Sequence, residues 1–334
     1  MPAISSADLR ARLDGLSRLS LADLPTPLLE LPRLSEHLGG PRIFVKREDQ
    51  TGMAFGGNKV REFEYSVAPA MDEGYDVLLH GAASQSNQSR VTAATAARFG
   101  LKAVMVGRKD AHSDPVNGNL LLTTLFGADV HLVETDEEKQ AVIERLKAEG
   151  HKVYNTSTDG YYLRSVSYVD GFMELRQQLD DRDVKADGIY VPSGMHTHCG
   201  LSVGAKALGV KIRIVGISMT PQDDAVEQGH LATTANKVSE ILKLDLAFEA
   251  KDFETYGAYA GTTYGVPTPG GLEAIRLAGQ YEGLVLEPVY TGKAFAGMVD
   301  HIRNGQWEKG QTIVFVHTGG TPGLFAYARE VLEG

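Results

Sequence analysis

Lys59 has the clearest potential for covalent chemistry in this sequence, because it directly follows Gly56-Gly57-Asn58. The pattern from Lys59 to Val67 predicts the first turns of a helix. The helix dipole disfavours an ammonium group at that position, and partial burial would disfavour it further. A neutral lysine amine can attack an aldehyde. The alternative is a surface lysine that closes an ordinary turn, and so short a motif does not decide between the two.

A second polar cluster, Ser86-Asn87-Gln88, follows the apolar segment Val77–His80 and precedes an alanine-rich stretch, Ala93–Phe99. This order predicts a strand, a turn and a helix. The N–H groups of a first helical turn, together with short polar side chains, can bind a carboxylate. The alternative is that Ser86 or Asn87 only caps the helix, which both residue types do well.

A third cluster, Ser193–Gly200, lies between the predicted strand Gly188–Val191 and the predicted helix Gly200–Leu208. Glycines and hydroxyl groups at the start of a helix can hold a phosphate without relying on a charged side chain. The cluster also contains two histidines and a cysteine, which could indicate a metal site. No second group of metal ligands lies nearby in the sequence, so we expect no metal here.

Two further polar turns follow apolar segments that we predict to be strands. Tyr290 follows Leu284–Leu286, and Thr318 follows Thr312–Val316. Open parallel sheets bind their ligands at the carboxyl ends of the strands, so both hydroxyl groups are candidates for a binding site. The alternative is ordinary turn chemistry and a tyrosine that belongs to the core.

Strand and helix patterns alternate along most of the chain, which predicts an α/β architecture with parallel sheets and right-handed crossovers. We expect two open, twisted parallel-sheet domains with helices on both faces. The predicted large domain comprises residues 1–50 and 162–334, and the predicted small domain comprises residues 51–161. The other predicted strands are Ala103–Val106, Asp129–Val133, Lys152–Tyr154 and Ile212–Ile217; the other predicted helices are Ala7–Leu19, Leu31–Leu38, Gly118–Phe126, Asp136–Glu149 (with Thr135 as N-cap) and Asp223–Leu244.

The composition is typical of a globular protein large enough for two domains. The chain has 334 residues, of which 43% are hydrophobic and 23% are charged, an ordinary balance. The formal net charge of −10 argues against nucleic acid and anionic membranes as partners. The single cysteine, Cys199, cannot form an intramolecular disulfide, and the N-terminal segment does not resemble a signal peptide. We expect a cytoplasmic protein without a membrane span.

Taken together, these segments resemble the pyridoxal phosphate (PLP)-dependent family of D-cysteine desulfhydrase and 1-aminocyclopropane-1-carboxylate (ACC) deaminase, within the tryptophan-synthase-β-like enzymes. No single motif is specific, but the matching segments occur in the right order over nearly the whole chain. The resemblance implies that PLP lies in the cleft between the two domains, and it also implies a homodimer. The matching segments are Leu24–Leu28, Val45–Asp49, Ala54–Lys59, Gln85–Asn87, Pro288–Lys293 and His317–Gly320.

The resemblance also implies a role for each candidate residue. Lys59 would hold the cofactor as a Schiff base and, once released, would remove the α-proton of the substrate. The predicted catalytic residues are Lys59, Tyr290 and Ser86. The predicted cofactor-binding residues are Lys59, Asn58, Ser193, Gly194, Met195, His196, Thr197, Gly200 and Thr318. The predicted substrate-binding residues are Ser86, Asn87, Gln88, Tyr264, Tyr290 and Arg164.

Thr318 bears on the type of reaction, because the resemblance places it against the pyridine nitrogen of the cofactor. A threonine, unlike a carboxylate, leaves the ring less fully protonated. Negative charge on the substrate then persists for less time, and loss of a β-substituent is favoured over transamination or racemisation. The resemblance therefore implies β-elimination from a small amino acid, with release of an α-keto acid and ammonia.

Two departures from the family pattern concern residues near the predicted site. ACC deaminase has a glutamate directly after the tyrosine that matches Tyr290, whereas this chain has Thr291. Ring-opening deamination is therefore disfavoured, although Gln88 is closer to that enzyme than to the desulfhydrase. The phosphate loop carries Met195 and His196 where relatives usually have small residues, so the role of each loop residue stays open.

The third departure is the segment Gly160–Tyr168, where desulfhydrases tend to have small, apolar residues. Arg164 is an additional cation, and an arginine suits bidentate binding of a carboxylate, sulfonate or phosphate. We therefore hypothesise a substrate with a second anionic group, such as cysteate; the alternative is a surface arginine in a helix cap. The candidate activities are those of a D-cysteine desulfhydrase, an L-cysteate sulfo-lyase, an ACC deaminase and a catalytically silent PLP-binding protein.

Overall fold

The computed structural model describes residues 3–113 and 115–333. Strands and helices alternate along this part of the chain. The strands are β1 Leu28–Glu30, β2 Arg42–Lys46, β3 Val77–His80, β4 Lys102–Arg108, β5 Asp129–Val133, β6 Val153–Asn155, β7 Gly188–Ser193, β8 Arg213–Ser218, β9 Glu254–Tyr256 and β10 Thr312–Val316. The helices are α1 Ser6–Asp14, α2 Pro32–Leu38, α3 Asn58–Ser66, α4 Ala68–Asp72, α5 Asn87–Phe99, α6 Gly118–Leu125, α7 Asp136–Ala148, α8 Leu163–Asp180, α9 His196–Ala207, α10 Asp224–Ile241, α11 Pro269–Glu282, α12 Thr291–Arg303, α13 Thr321–Ala326 and α14 Ala328–Glu333.

These strands form two sheets. The larger sheet has the order β1-β2-β10-β7-β8-β9, in which β1 runs antiparallel to β2 and the other pairs are parallel. The smaller sheet has the order β5-β4-β3-β6, and its pairs are parallel. The predicted α/β architecture is confirmed. The antiparallel edge strand β1 was not among the predicted strands.

Helices cover both faces of the larger sheet, as the residues of its strand β10 show. Phe315 lies opposite Val45 and Tyr190 of the neighbouring strands. Ile313 and Phe315 pack into one hydrophobic cluster, whereas Val314 and Val316 pack into another. Successive side chains of a strand point to opposite faces of the sheet, so each cluster belongs to one face.

Trp307, the one tryptophan of the sequence, packs against the larger sheet. The side chain is 6% exposed, and its indole N–H donates to the hydroxyl of Tyr190 at 2.7 Å. Gly188, at the start of β7, makes this contact possible, because a Cβ there would lie 2.2 Å from the indole ring. The indole therefore reports on the packing of one particular sheet.

The four strands of the smaller sheet lie between residues 77 and 155, and the strands of the larger sheet precede and follow them. The domain boundaries after residues 50 and 161 remain a proposal. None of the helices within residues 3–113 and 115–333 combines the length and the apolar character that a membrane crossing requires.

A buried network of charged residues connects α3 to the larger sheet and to α8. Arg61 of α3 forms ion pairs with Glu48 at 2.7 Å and with Glu174 of α8 at 3.1 Å. Lys46, at the end of β2, also pairs with Glu174. Burial alone would raise the pKa of Glu48, but the charge and hydrogen bonds of Arg61 lower it to about 2. Removing one member of such a network leaves an uncompensated buried charge.

The structure corrects three predicted elements. Leu284–Leu286 pairs with none of the described strands; instead it connects α11 to α12, with Leu284 and Leu286 buried and Val285 exposed. A short apolar run does not by itself distinguish such a connection from a strand. The first helix ends at Asp14 rather than at residue 19, because the chain beyond it turns away and the N–H of Leu19 bonds to the carbonyl of Glu64. The helix predicted from Gly200 begins four residues earlier, at His196.

Candidate active site

The loop before Lys59 depends on two close approaches of backbone to backbone. Gly56 and Gly57 have φ angles of +62° and +108°, which residues with a Cβ rarely adopt. A Cβ on Gly319, in the turn after β10, would lie 2.5 Å from the Cα of Gly57. The N–H of Asn58 donates to the carbonyl of Thr318 at 2.9 Å. These contacts fix the start of α3 against the end of β10.

Lys59 lies in the first turn of α3 and has a carboxylate partner one turn further on. Its Nζ contacts the two carboxylate oxygens of Glu62 at 2.9 and 2.8 Å. The side chain of Glu62 is fully buried, whereas that of Lys59 is 20% exposed. Residues three apart share a helix face, so the spacing itself could have revealed Glu62. Asn58 completes the group by donating to Glu62 and to Thr197, each at 3.1 Å.

The first turn of α9 forms a second wall of the site. The residue before it, Met195, has a φ of +83°, and no side chain caps the helix. His196 and Thr197 therefore lie in a turn whose N–H groups have no partner within the helix. These groups and the helix dipole suit an anion, and a phosphate above all. This geometry suits the predicted phosphate site, which stays a prediction.

Ser193 is oriented by residues that the sequence analysis did not identify. Its hydroxyl donates to Glu227 of α10 at 2.5 Å and lies 3.1 Å from Nδ1 of His198. Glu227 is 2% exposed and also accepts from the hydroxyl of Ser218. Since the proton of the Ser193 hydroxyl is directed at a carboxylate, an anion at α9 would be bound mainly by backbone N–H groups. No local pattern predicts a contact between residues 34 positions apart.

Gly200 does not line the cavity that the other predicted site residues form. Its position therefore gives no support to its predicted role in binding the cofactor. It lies in the second turn of α9, where that helix crosses α8. A Cβ there would lie 2.2 Å from the carbonyl oxygen of Ser165 and 2.5 Å from the Cβ of Tyr168. Gly200 therefore allows close packing of two helices.

The predicted carboxylate site lies at the first turn of α5. Ser86 caps this helix, since its hydroxyl accepts from the N–H of Ser89 at 3.2 Å. The side chain of Asn87 accepts from Asn119 at 2.9 Å. The amide of Gln88 donates to the carbonyl of Thr156 at 2.6 Å. These side chains hold the turn in place, and the backbone N–H groups of the first turn are the donors suited to a carboxylate.

Tyr264 and Tyr290 form a pair that lines the same cavity as Lys59. Their hydroxyl groups are hydrogen-bonded, and their rings meet edge to face at a centroid distance of 5.9 Å. Burial raises the pKa of Tyr290 well above its ordinary value, and Tyr264 and Glu287 raise it further. At neutral pH Tyr290 is therefore a protonated phenol whose hydroxyl can donate a hydrogen bond.

Arg164, in the first turn of α8, is not the surface arginine of the alternative interpretation. It is 5% exposed, and its Nη1 donates to Oε1 of Gln88 at 3.4 Å. Its Nε and Nη2 are buried without a hydrogen-bond partner among the described residues. Burial lowers the pKa of Arg164 from its ordinary value, and the negative charge of Glu62 opposes this shift.

One cavity of about 420 Å³ brings the predicted residues together, with the exception of Gly200. A second cavity of about 530 Å³ adjoins it and shares Ala82, Asn87, Tyr264 and Tyr290, but Lys59 does not line it. The first cavity is also lined by residues that the sequence analysis did not identify, among them His80, Met219, Thr220, Gln222, Glu227 and His230. No group of three or more histidine, cysteine or acidic residues in residues 3–113 and 115–333 is arranged to hold a metal ion.

The cavity fits pyridoxal phosphate by its chemistry. It places a lysine amine and an uncapped helix N-terminus around one space. The model of the pyridoxal-phosphate dependent enzyme family matches residues 19–319. The chain belongs to this family. The cofactor of the enzyme is therefore pyridoxal 5′-phosphate.

Known proteins similar to the enzyme include two bacterial D-cysteine desulfhydrases. The one from Salmonella newport (strain SL254) is 37% identical over 335 residues, which cover 94% of this chain and 97% of that protein. The one from Klebsiella pneumoniae is 38% identical over 326 residues with the same coverage. Both similarities extend over nearly the whole of each chain.

Solved structures agree with this assignment. An ACC deaminase homologue superposes with a TM-score of 0.87 and 32% identity, covering 98% of this chain and 99% of that chain. A PLP-dependent aspartate racemase, with a TM-score of 0.66, is 20% identical and covers 96% of this chain and 97% of its own. At that identity it supports the fold alone.

Proposed function

We propose that the enzyme catalyses β-elimination from a small amino acid, with D-cysteine as the first candidate substrate. With one water molecule, D-cysteine would give pyruvate, ammonia and hydrogen sulfide. The observation that carries the proposal is the cavity in which Lys59, the first turn of α9 and the first turn of α5 meet. The names of the two desulfhydrase relatives support the choice of substrate.

Lys59 has two tasks in this proposal, and both belong to its Nζ atom. Bound pyridoxal phosphate supplies an electron-withdrawing ring that stabilises negative charge at the α-carbon. Lys59 Nζ is the amine that would attach to the cofactor aldehyde and, once displaced by substrate, take the α-proton. Glu62 lies within 2.9 Å of this atom and can hold the resulting ammonium group.

The remaining residues bind and orient. The first turn of α9 would hold the phosphate, and the first turn of α5 would hold the substrate carboxylate, with Ser86 fixing that turn as its cap. Thr318 would face the pyridine nitrogen. Tyr290, which is protonated at neutral pH, would donate a hydrogen bond to the departing β-substituent and stabilise its negative charge.

ACC deamination is the second candidate, because a solved structure described as an ACC deaminase homologue has a TM-score of 0.87 to this chain. Thr291 argues against it. Its side chain is fully buried and hydrogen-bonds to the backbone and carboxylate of Glu287, so it offers the cavity no acidic group. L-cysteate is a third candidate, which Arg164 favours.

The decisive experiment assays keto acid after adding D-cysteine, L-cysteine, L-cysteate and ACC separately to the PLP-loaded enzyme. We expect D-cysteine or L-cysteate to be consumed, a visible absorbance band, and a mass increase after borohydride reduction. Lys59→Ala should lose the band, the trapped mass and the activity. The exposed Lys251, which pairs with Glu249, serves as the control in Lys251→Ala. Trapping by the wild type without any keto acid would instead support the silent PLP-binding protein.

We also propose that the enzyme is a cytoplasmic homodimer. Large apolar side chains are exposed on α6 and α13, which pack against each other: Leu121 at 51%, Leu125 at 70% and Phe325 at 64%. Such a group of side chains suits contact with a second copy of the chain. Sedimentation tests the dimer: we expect the mass of two chains for the wild type and the mass of one chain for Leu125→Glu. Cell fractionation tests the compartment.

A further inference from the structure

Arg164 is a buried cation whose donors the protein does not use. Two of its three guanidinium nitrogens, Nε and Nη2, have no hydrogen-bond partner among the described residues. The third makes a single long contact, 3.4 Å to Gln88. Burying a charge without a partner is costly, and Arg164 lines the cavity that contains Lys59. A ligand that brings negative charge into the cavity would satisfy these donors.

The acidic residues nearest to Arg164 are occupied elsewhere. Glu62 accepts from Lys59 and Asn58, and Asp159 accepts from the N–H of Asn155 at 2.8 Å. Neither is within ion-pair distance of Arg164 in the described residues, whereas each contributes to the electrostatic environment of this side chain. The guanidinium instead lies 5.6 Å from the ring centroid of Tyr161, which fixes its position.

We propose that Arg164 determines specificity by binding an oxyanion at the β-carbon of the substrate, and that a sulfonate is the group it takes. This inference rests on the proposed function. Gln88 joins the two donor sets, because its backbone lies in the first turn of α5 and its side chain contacts Arg164. A small amino acid could therefore place its carboxylate at α5 and its second anion at Arg164.

The reaction with cysteate balances without any further reactant than water. The Cα–H bond breaks and its proton goes to Lys59 Nζ. The Cβ–S bond breaks and its electron pair leaves with sulfur as sulfite. Water then releases ammonia and leaves pyruvate. Arg164 would hold the sulfonate oxygens in place before the bond breaks and would stabilise the charge of the departing sulfite.

The kinetic test compares substrates that differ at the β-carbon: cysteate has a sulfonate, cysteine has a thiol, and 3-chloroalanine has an uncharged chlorine substituent that leaves as chloride. Cysteate and cysteine are supplied as both enantiomers. Arg164→Met should lower kcat/KM for cysteate by at least about 30-fold, while the other two substrates change less than about threefold. Arg164→Lys, which keeps the charge but loses the planar donors, should lie between. Arg176→Met is the matched control, because Arg176 is on the same helix, is partly exposed and pairs with Asp180 at 3.6 Å.

A binding test needs no turnover. 3-Sulfopropanoate has the two anions of cysteate but no amine, so it cannot react with the cofactor. Calorimetric titration of the PLP-loaded enzyme should show binding to the wild type and to Arg176→Met, and a loss of at least about 30-fold in Arg164→Met. Melting temperatures of all variants verify folding, and Arg164→Lys provides the result if Arg164→Met does not fold.

Equal losses with cysteate, cysteine and 3-chloroalanine would overturn the inference, because Arg164 would then hold the carboxylate that these substrates share. Unchanged binding of 3-sulfopropanoate in Arg164→Met would overturn it as well. Failure of the proposed function is a different result: the wild type would form keto acid from none of the substrates, whereas the titration would still show whether Arg164 binds a sulfonate.

Discussion

Glu62, Glu227 and Tyr290 show how far single residues can be assigned from a sequence. Tyr290 follows an apolar run, which made it a candidate, and the structure places it in the cavity. Glu62 is three residues after Lys59, so the spacing in the helix could have revealed it. Glu227 reaches Ser193 from a distant helix. Such a contact depends on tertiary packing, and no local sequence pattern predicts it.

Tyr290→Phe tests the role of the Tyr290 hydroxyl. The substitution removes the hydroxyl that a buried phenol would offer to the leaving group, so we expect kcat to fall by about 100-fold or more. PLP attachment, measured by borohydride trapping, should be unchanged because Lys59 is intact. Since a halide departs without a proton, 3-chloroalanine should lose much less activity than cysteine. Equal losses with both substrates would contradict the assignment.

Glu227→Gln tests the carboxylate beside the first turn of α9. Glu227 lines the same cavity as His196 and Thr197 of that turn. A buried carboxylate there opposes binding of a phosphate. The glutamine oxygen can still accept from one serine. We therefore expect the dissociation constant of PLP to fall by about threefold to tenfold, an effect on the order of 1 kcal/mol. Glu240→Gln on the same helix, where Glu240 is exposed and pairs with Lys237, should leave it unchanged; weaker PLP binding by Glu227→Gln would refute the prediction.

At the scale of elements, strands followed by polar turns were predictable because the pattern is local. The bounds of β3, β5 and β10 match the predictions, and Thr135 caps α7 as expected. Glu138 completes a capping box there, which was not predicted. The prediction of a strand at Leu284–Leu286 was wrong because the burial of Leu284 and Leu286 alone, without pairing to a strand, accounts for their apolar character. The start of α9 was placed too late because Met195 adopts a positive φ, which residue type does not reveal.

Gly319→Ala tests the contact between the turn after β10 and the loop before α3. A Cβ would lie 2.5 Å from the Cα of Gly57, and Gly319 has a φ of +96°. We expect a loss of about 2 kcal/mol or more in the free energy of unfolding, together with slower PLP attachment at Lys59. In the control, Gly229→Ala, the new Cβ meets no atom within 4 Å, so stability should be unchanged or slightly higher. Denaturant unfolding and borohydride trapping measure both effects.

At the scale of the whole molecule, the two sheets are connected through charged as well as apolar residues. The resemblance over most of the chain predicted two sheets and a cleft, but not the buried pairs that hold α3 against α8. Arg61 and Glu174 are more than one hundred residues apart in the sequence, and only the packed structure brings them within 3.1 Å. Local sequence patterns predict helix faces and turns. The partners in a buried ion-pair network can be identified only from the three-dimensional structure.

The Glu48 network should make the enzyme sensitive to acid. The pKa of Glu48 is lowered to about 2 in the folded protein, against about 4.3 in an unfolded chain. Its contribution is therefore fully present above the unfolded value and disappears as the pH falls from about 4.3 to 2, a loss on the order of 3 kcal/mol. Denaturant unfolding at several pH values should show this decline. Glu48→Gln should be less stable at pH 7 and should depend less on pH in that window; an equally steep decline in the variant would disprove the assignment.

Trp307, which packs against β7, provides an optical probe that does not line the cavity of Lys59. Fluorescence of Trp307 follows the larger sheet, while the visible band of the bound cofactor follows the surroundings of Lys59. The two signals can be recorded on one sample during denaturation. If the visible band disappears before the fluorescence changes, the surroundings of Lys59 unfold while the larger sheet is still folded. Each variant described above can then be classified by which of the two signals it changes.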